Sequence, residues 1–230
     1  MNPSLANPLH QLSVWLLPVL LAITFHEGAH ALVARLRGDD TAARLGRVTL
    51  NPFKHIDPFG TVFLPGMLLL MRAPFMFGYA KPVPVNVRKL HNPRVDGMLV
   101  AAAGPAMNFV LALVSAIALH VVPLIPATSG DWLEQNLVNS IILNVGLALF
   151  NLIPLPPLDG GRILTGLLPR PLAIPFARLE PYGMMILIGL LLLQPLLGQQ
   201  LGVNLDVLTW ALARGARAII SALLTVTGHG

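Results

Sequence analysis

The chain has 230 residues, 55% of them apolar and only 11% charged, with a formal net charge of +5 and no cysteine. A soluble domain carries about 25% charged residues, so this chain lacks the polar side chains to coat a water-facing surface and must use lipid as much of its solvent. Disulfides and thiolate metal sites are excluded, and the Arg and Lys lie between apolar runs, as membrane topology places them and unlike a nucleic-acid surface.

Four apolar stretches are long enough to cross a hydrocarbon core of about 30 Å, which takes about 20 helical residues: 12–36, 98–125, 137–155 and 182–201. The first lacks a basic leader and a small-residue cleavage site, so it reads as a retained transmembrane helix. It contains His26-Glu27-Gly28-Ala29-His30. Four residues apart, His26 and His30 project from one helix face, where two imidazole nitrogens can grip one Zn²⁺ at about 2.0–2.1 Å. Glu27 can reach a water in the open metal position and serve as the general base of a metallopeptidase. The blander alternative is that the three groups satisfy one another in a crevice. Against it stands the cost of ionisable groups in an otherwise uncharged apolar helix, which a metal would offset. His26 precedes Leu36 by ten residues, about 15 Å along a helix axis.

Ten Lys and Arg fall between Arg35 and Arg94, and none before Arg35. By the positive-inside rule the N-terminus is outside and the first helix runs inward. Residues 59–71 are apolar but only 13 long, with positive charge on both sides, so they are expected to re-enter rather than cross. His55 and Asp57 are rival metal ligands in a Pro-rich turn, and read instead as groups that fix the turn. Further on, Lys81-Pro82-Val83-Pro84-Val85 should be extended, because its prolines forbid a helix and a central strand alike. An edge strand is expected there.

The second long span runs out and the third returns, after a loop carrying Asp131 and Glu134 but no positive charge. Three prolines break the chain just before Asp159 and two glycines follow it, and broken backbone at membrane depth is tolerated only where it faces protein or a cavity. A catalytic zinc takes three protein ligands and keeps one position open. Asp159 is the only acidic residue between Glu134 and Glu180 and falls on the leaflet of the histidines, so it reads as the third ligand in preference to a helix cap.

His26-Glu27-Gly28-Ala29-His30, then Gly104-Pro105-Ala106-Met107-Asn108, then the segment from Asn151 to Gly161 resemble the site-2 protease family over roughly residues 12–165. Residues 50–60 and 78–86 are similar to its compact prokaryotic branch, without a PDZ-like or CBS-like domain. The resemblance implies an intramembrane zinc metalloprotease that cleaves transmembrane substrates in regulated proteolysis. It implies one Zn²⁺ per chain on His26, His30 and Asp159, with Glu27 as base. Asn151 matches an Asn that polarises the scissile carbonyl or steadies the oxyanion, although an interhelical hydrogen bond would account for it nearly as well. Asn108 matches a position after the family's Gly-Pro, and close helix packing is its favoured reading. Gly78, Tyr79, Ala80, Lys81, Pro82 and Val83 resemble the family's membrane-associated β element, whose edge receives the substrate.

The last apolar stretch, 203–227, is interrupted by Arg214 and Arg217, which share one helical face, so it either spans or lies on the membrane. The expectation is therefore an all-α polytopic membrane protein of one domain, residues 1–230. It has four to six transmembrane helices, a re-entrant segment and a small β element. The C-terminal helices cover about 174–227. Its surroundings are the lipid bilayer of a prokaryotic cell, with the active site toward the cytoplasmic side. Its partner is a single-span membrane protein substrate, with no role for nucleic acid. A serine or aspartyl intramembrane protease is weakly supported: G-x-S-x-G is missing and no second intramembrane Asp pairs with Asp159. A zinc transporter or a catalytically inactive scaffold is the rival from another class.

Overall fold

The computed structural model describes residues 8–55, 57–63, 67, 81–201 and 207–229. Helix α1 spans Pro8–Leu36. It stops because Gly38 takes φ +103°, a conformation open to glycine, and because a side chain there would press on His91 and the Lys89 carbonyl. A short turn, α2 (Thr41–Arg44), follows. Helix α3 (Pro93–Ala118) starts with Pro93 in its first turn and with Asn92 accepting the Val95 N–H at 3.3 Å. Helices α4 (Ala127–Asn151), α5 (Asp159–Leu167), α6 (Arg170–Ala177), α7 (Glu180–Leu201) and α8 (Val207–Val226) complete the order.

Helices α1, α3 and α4 pack on one another, α5 closes against α3, and α8 leans on α4. The interior is made of small residues: Ala22, Ala29, Ala31 and Ala34 of α1, Ala101, Gly104, Ala112 and Ala116 of α3, and Val145 and Ala148 of α4. Leu16, Leu17, Leu21, Leu32, Val110, Leu113, Val114 and Ile117 point outward. This small-in, large-out pattern suits helices that gain nothing by hiding Leu from lipid and associate through close backbone approach.

Among the described residues, four helices are long and apolar enough to cross a membrane: Leu9–Leu36, Pro93–Leu124, Ser129–Asn151 and Val207–Val226. The expected span at 182–201 is found instead as part of a bent pair, Arg170–Ala177 and Glu180–Leu191, which meet at 68° and make a fifth crossing if taken as one broken span.

The β element expected near residues 78–86 requires correction. Among the described residues no strand forms, and the polar groups of Lys81–Asn86 explain why. The Lys81 N–H donates to His55 O at 2.9 Å, Val83 N–H to Glu27 and Asn86 N–H to Asp39, while Pro82 and Pro84 have none to give. Arg47 Nη1 donates to the Lys81 and Pro82 carbonyls at 3.2 and 3.4 Å. The segment is extended, but its Lys81, Val83 and Asn86 N–H groups are spent on side chains and a loop. Gly78, Tyr79 and Ala80 lie outside the described residues. So does most of the expected re-entrant segment 59–71, whose residues 59–63 belong to a π-helical turn, Pro58–Phe63.

Candidate metal centre

His26 and His30 lie one turn apart on α1, facing the α3 surface that carries Gly104 and Asn108. Both are buried, at 6% and 8% exposure. Their Nε2 atoms are 3.1 Å apart. Asp159 Oδ2 lies 3.3 Å from each. Among the described residues, these three form the one His/Asp/Glu group able to hold a metal ion.

The outer ring nitrogens decide what the inner ones offer. His30 Nδ1 lies 2.7 Å from the Val100 carbonyl and His26 Nδ1 is 2.5 Å from Asn108 Oδ1. Both partners are acceptors, so each Nδ1 carries the proton and each Nε2 is left with a bare lone pair. Asp159 Oδ2 is buried and has no hydrogen-bond donor. Two lone pairs and a carboxylate oxygen thus converge with no proton between them, a costly arrangement without a cation. Ligands about 2.05 Å from a tetrahedral zinc sit about 3.3 Å from one another, which matches the spacing of this triangle. Gly104 keeps the space open: a Cβ there would fall 2.6 Å from His26 Nε2 and overlap His30 Nε2. The residues fit a zinc ion.

Asp159 arrives there by local geometry. Leu158 occupies the α5 cap position and Asp159 stands in the first turn, so its carboxylate is not spent on a cap. Gly160 and Gly161 let α5 start flush against the preceding loop, since a Cβ on either would run into the backbone of residues 152–156.

Glu27, half-buried and next to His26 in the chain, accepts the Val83 N–H at 2.8 Å through its Oε2. The extended segment carrying Val83 is tied down at its far end by Asp39, which accepts the Asn86 N–H and, at 3.0 Å, the Thr41 N–H. Burial pushes the Asp39 carboxyl up, but the Thr41 hydroxyl and the Thr41 and Asn86 amides outweigh it, with Lys89 adding, and hold it below its ordinary range. Lys89 and Arg44 likewise lower Asp40, led by the hydrogen bond from Lys89.

Other expected site residues are placed differently. The Asn151 amide donates to Leu147 O, one turn back on α4, at 3.0 Å. Asp57 Oδ1 accepts Phe59 N–H and Gly60 N–H at 3.0 and 2.7 Å, in keeping with a turn-fixing role, and buried His55 lies 3.0 Å from Thr49 O. Asn108, read from sequence as a packing residue, bonds the metal-site histidine. Its four-residue spacing from Gly104, on one face of an apolar helix, is the signal that could have assigned it.

Comparison with known proteins gives the family. The profile of peptidase family M50 matches residues 14–142 and 119–194. The chain is 40% identical over 194 residues to a Bacillus subtilis protein named "Putative zinc metalloprotease YwhC", covering 83% of this chain and 85% of that one. It is 28% identical over 195 residues to "Putative zinc metalloprotease Rip2" of Mycolicibacterium smegmatis, covering 81% and 70% respectively. No solved structure matches it. With a match through most of its length, a buried His-His-Asp triangle and a bundle of apolar helices, the chain belongs to peptidase family M50, the site-2 protease family, and is a metalloprotease of the membrane.

Proposed function

We propose that the protein hydrolyses peptide bonds in or near transmembrane segments of single-span membrane proteins, the chemistry of regulated intramembrane proteolysis. In this reading His26, His30 and Asp159 hold one Zn²⁺ per chain. The observation that carries it is the buried convergence of two bare imidazole nitrogens and one donorless carboxylate oxygen, 3.1–3.3 Å apart, beside Glu27.

A bound Zn²⁺ supplies Lewis acidity there, toward a water and toward the scissile carbonyl. Glu27 is the base: it accepts the proton of the attacking water and returns it to the leaving amine. Val83 N–H holds one of its oxygens in place, leaving the other for that proton. Asn151 donates to the developing oxyanion, which requires it to exchange its bond to Leu147 O. Gly78, Tyr79, Ala80, Lys81, Pro82 and Val83 are the proposed substrate contact, a reading supported by the bond from Val83 to the base. The substrate helix must unwind at the cut, because helical backbone hides its carbonyls. The charge pattern supports an N-terminus outside a prokaryotic cell membrane and a site opening toward the cytoplasm.

Glu27→Gln tests the reaction. It should retain zinc and lose cleavage of membrane substrates by about 10²-fold or more, read by comparing membrane proteomes containing wild type and variant. Undiminished cleavage by the variant would refute the mechanism, whereas a transporter or scaffold would show no base-dependent cleavage in either protein.

A further inference from the structure

We infer that Asn108 is a positioning residue for His26 and that Asn144 sets the orientation in which it acts. This rests on the zinc reading of His26, His30 and Asp159.

The line of hydrogen bonds runs inward from the Ser140 carbonyl, which can only accept. Ser140 O accepts from Asn144 Nδ2 at 2.9 Å, with Ser140 Oγ at 3.2 Å from the same nitrogen. Asn144 must therefore present its oxygen to α3. Asn108 Nδ2 donates to that oxygen at 2.7 Å, and more weakly to the Ala22 carbonyl at 3.4 Å. Its own oxygen is then the end that meets His26 Nδ1. An acceptor there keeps the ring proton on Nδ1 and leaves Nε2 bare toward His30 and Asp159. Were Asn108 to turn over, its amide would favour the other tautomer and place a proton where the metal belongs.

Both carboxamides are fully buried, at 0% exposure, so no solvent can stand in for either partner. A Ser115–Ser140 hydroxyl contact at 2.8 Å extends the polar line between α3 and α4. Buried interhelical polar contacts of this sort contribute only about 0.6 kcal/mol each, little reason in itself to build such a line into lipid-embedded helices. Directional control of a ligand is a stronger one.

A double-mutant cycle separates orientation from packing. Zinc affinity is measured on the full-length protein in detergent by competition with a chromophoric chelator, and helical circular dichroism of each apoprotein reports its folding. Asn108→Leu should weaken zinc binding about 10–100-fold, as loss of a ligand's hydrogen-bond partner does. Asn108→Asp should bind within about threefold of wild type, because a carboxylate accepts from Nδ1 through either oxygen. Asn144→Leu should then weaken binding when residue 108 is Asn and cost nothing further when it is Asp, whose two ends are alike. An equal loss in both backgrounds means that Asn144 only packs, and overturns the proposal. Wild-type affinity in a folded Asn108→Leu protein does so too. His26→Ala separates the two levels: if it binds zinc like wild type, the zinc reading itself fails.

Discussion

Replacing Gly104 by Ala adds one methyl group, and the structure predicts that it empties the metal site. A Cβ at this position would stand 2.6 Å from His26 Nε2 and Cε1 and overlap His30 Nε2. Ordinary contact begins at 3.4 Å, so the His26 ring must retreat by about 0.8 Å and the His30 ring by more, whereas metal–ligand distances tolerate about 0.2 Å. Both histidines are disturbed together, so the loss should exceed the 10–100-fold that follows removal of one supporting group. We expect about 100-fold or more in zinc affinity, roughly 2.7 kcal/mol. Overpacking alone costs the apoprotein about 1–3 kcal/mol, so affinity is measured on folded protein by chelator competition. Gly97→Ala is the control on the same helix, since a Cβ there meets nothing within 4 Å, and it should bind zinc like wild type. A folded Gly104→Ala protein with wild-type affinity would refute the geometry of the centre.

Three other outcomes are expected. Asp159→Ala should lower zinc affinity severely and leave substoichiometric metal by elemental analysis, while full occupancy at wild-type affinity would remove Asp159 from the ligand set. Val83→Pro deletes the N–H that holds Glu27; in a variant whose circular dichroism shows it folded, zinc content should be unchanged while cleavage falls about 10-fold, the effect of a misplaced base. The lowered Asp39 carboxyl should stabilise the fold in full above the unfolded value of about 3.9 and lose that contribution as pH falls through its folded value. Asp39→Asn should accordingly cost about 1–3 kcal/mol at neutral pH and flatten the acid limb of thermal stability in detergent. An unchanged acid limb would contradict this role.

The divide between what sequence shows and what only packing decides falls at particular residues. His26, Glu27 and His30 are legible because helical periodicity is local: a four-residue spacing places two side chains on one face whatever the rest of the chain does. Asp159 was legible because charge asymmetry orients successive spans, and an apolar chain offers few acids to choose from. Spacing carries no such information for contacts between helices. Spacing puts Gly104 and Asn108 on one face of α3, but it does not say that this face meets the imidazoles or that Asn108 reaches Nδ1 of His26, because the rotation and depth of α3 against α1 are set by the sum of small-residue contacts along both. The edge strand failed for a related reason. Extended character is written in the two prolines, but whether extended backbone joins a ladder depends on what competes for its N–H groups. Here Glu27, Asp39 and the His55 carbonyl take them. The sequence by itself determined that His26, Glu27 and His30 share one stretch of helix and that Asp159 is the acid available to them; the tertiary structure decided that Gly104 opens the space between the rings, that Asn108 meets His26 and that the Val83 N–H holds Glu27.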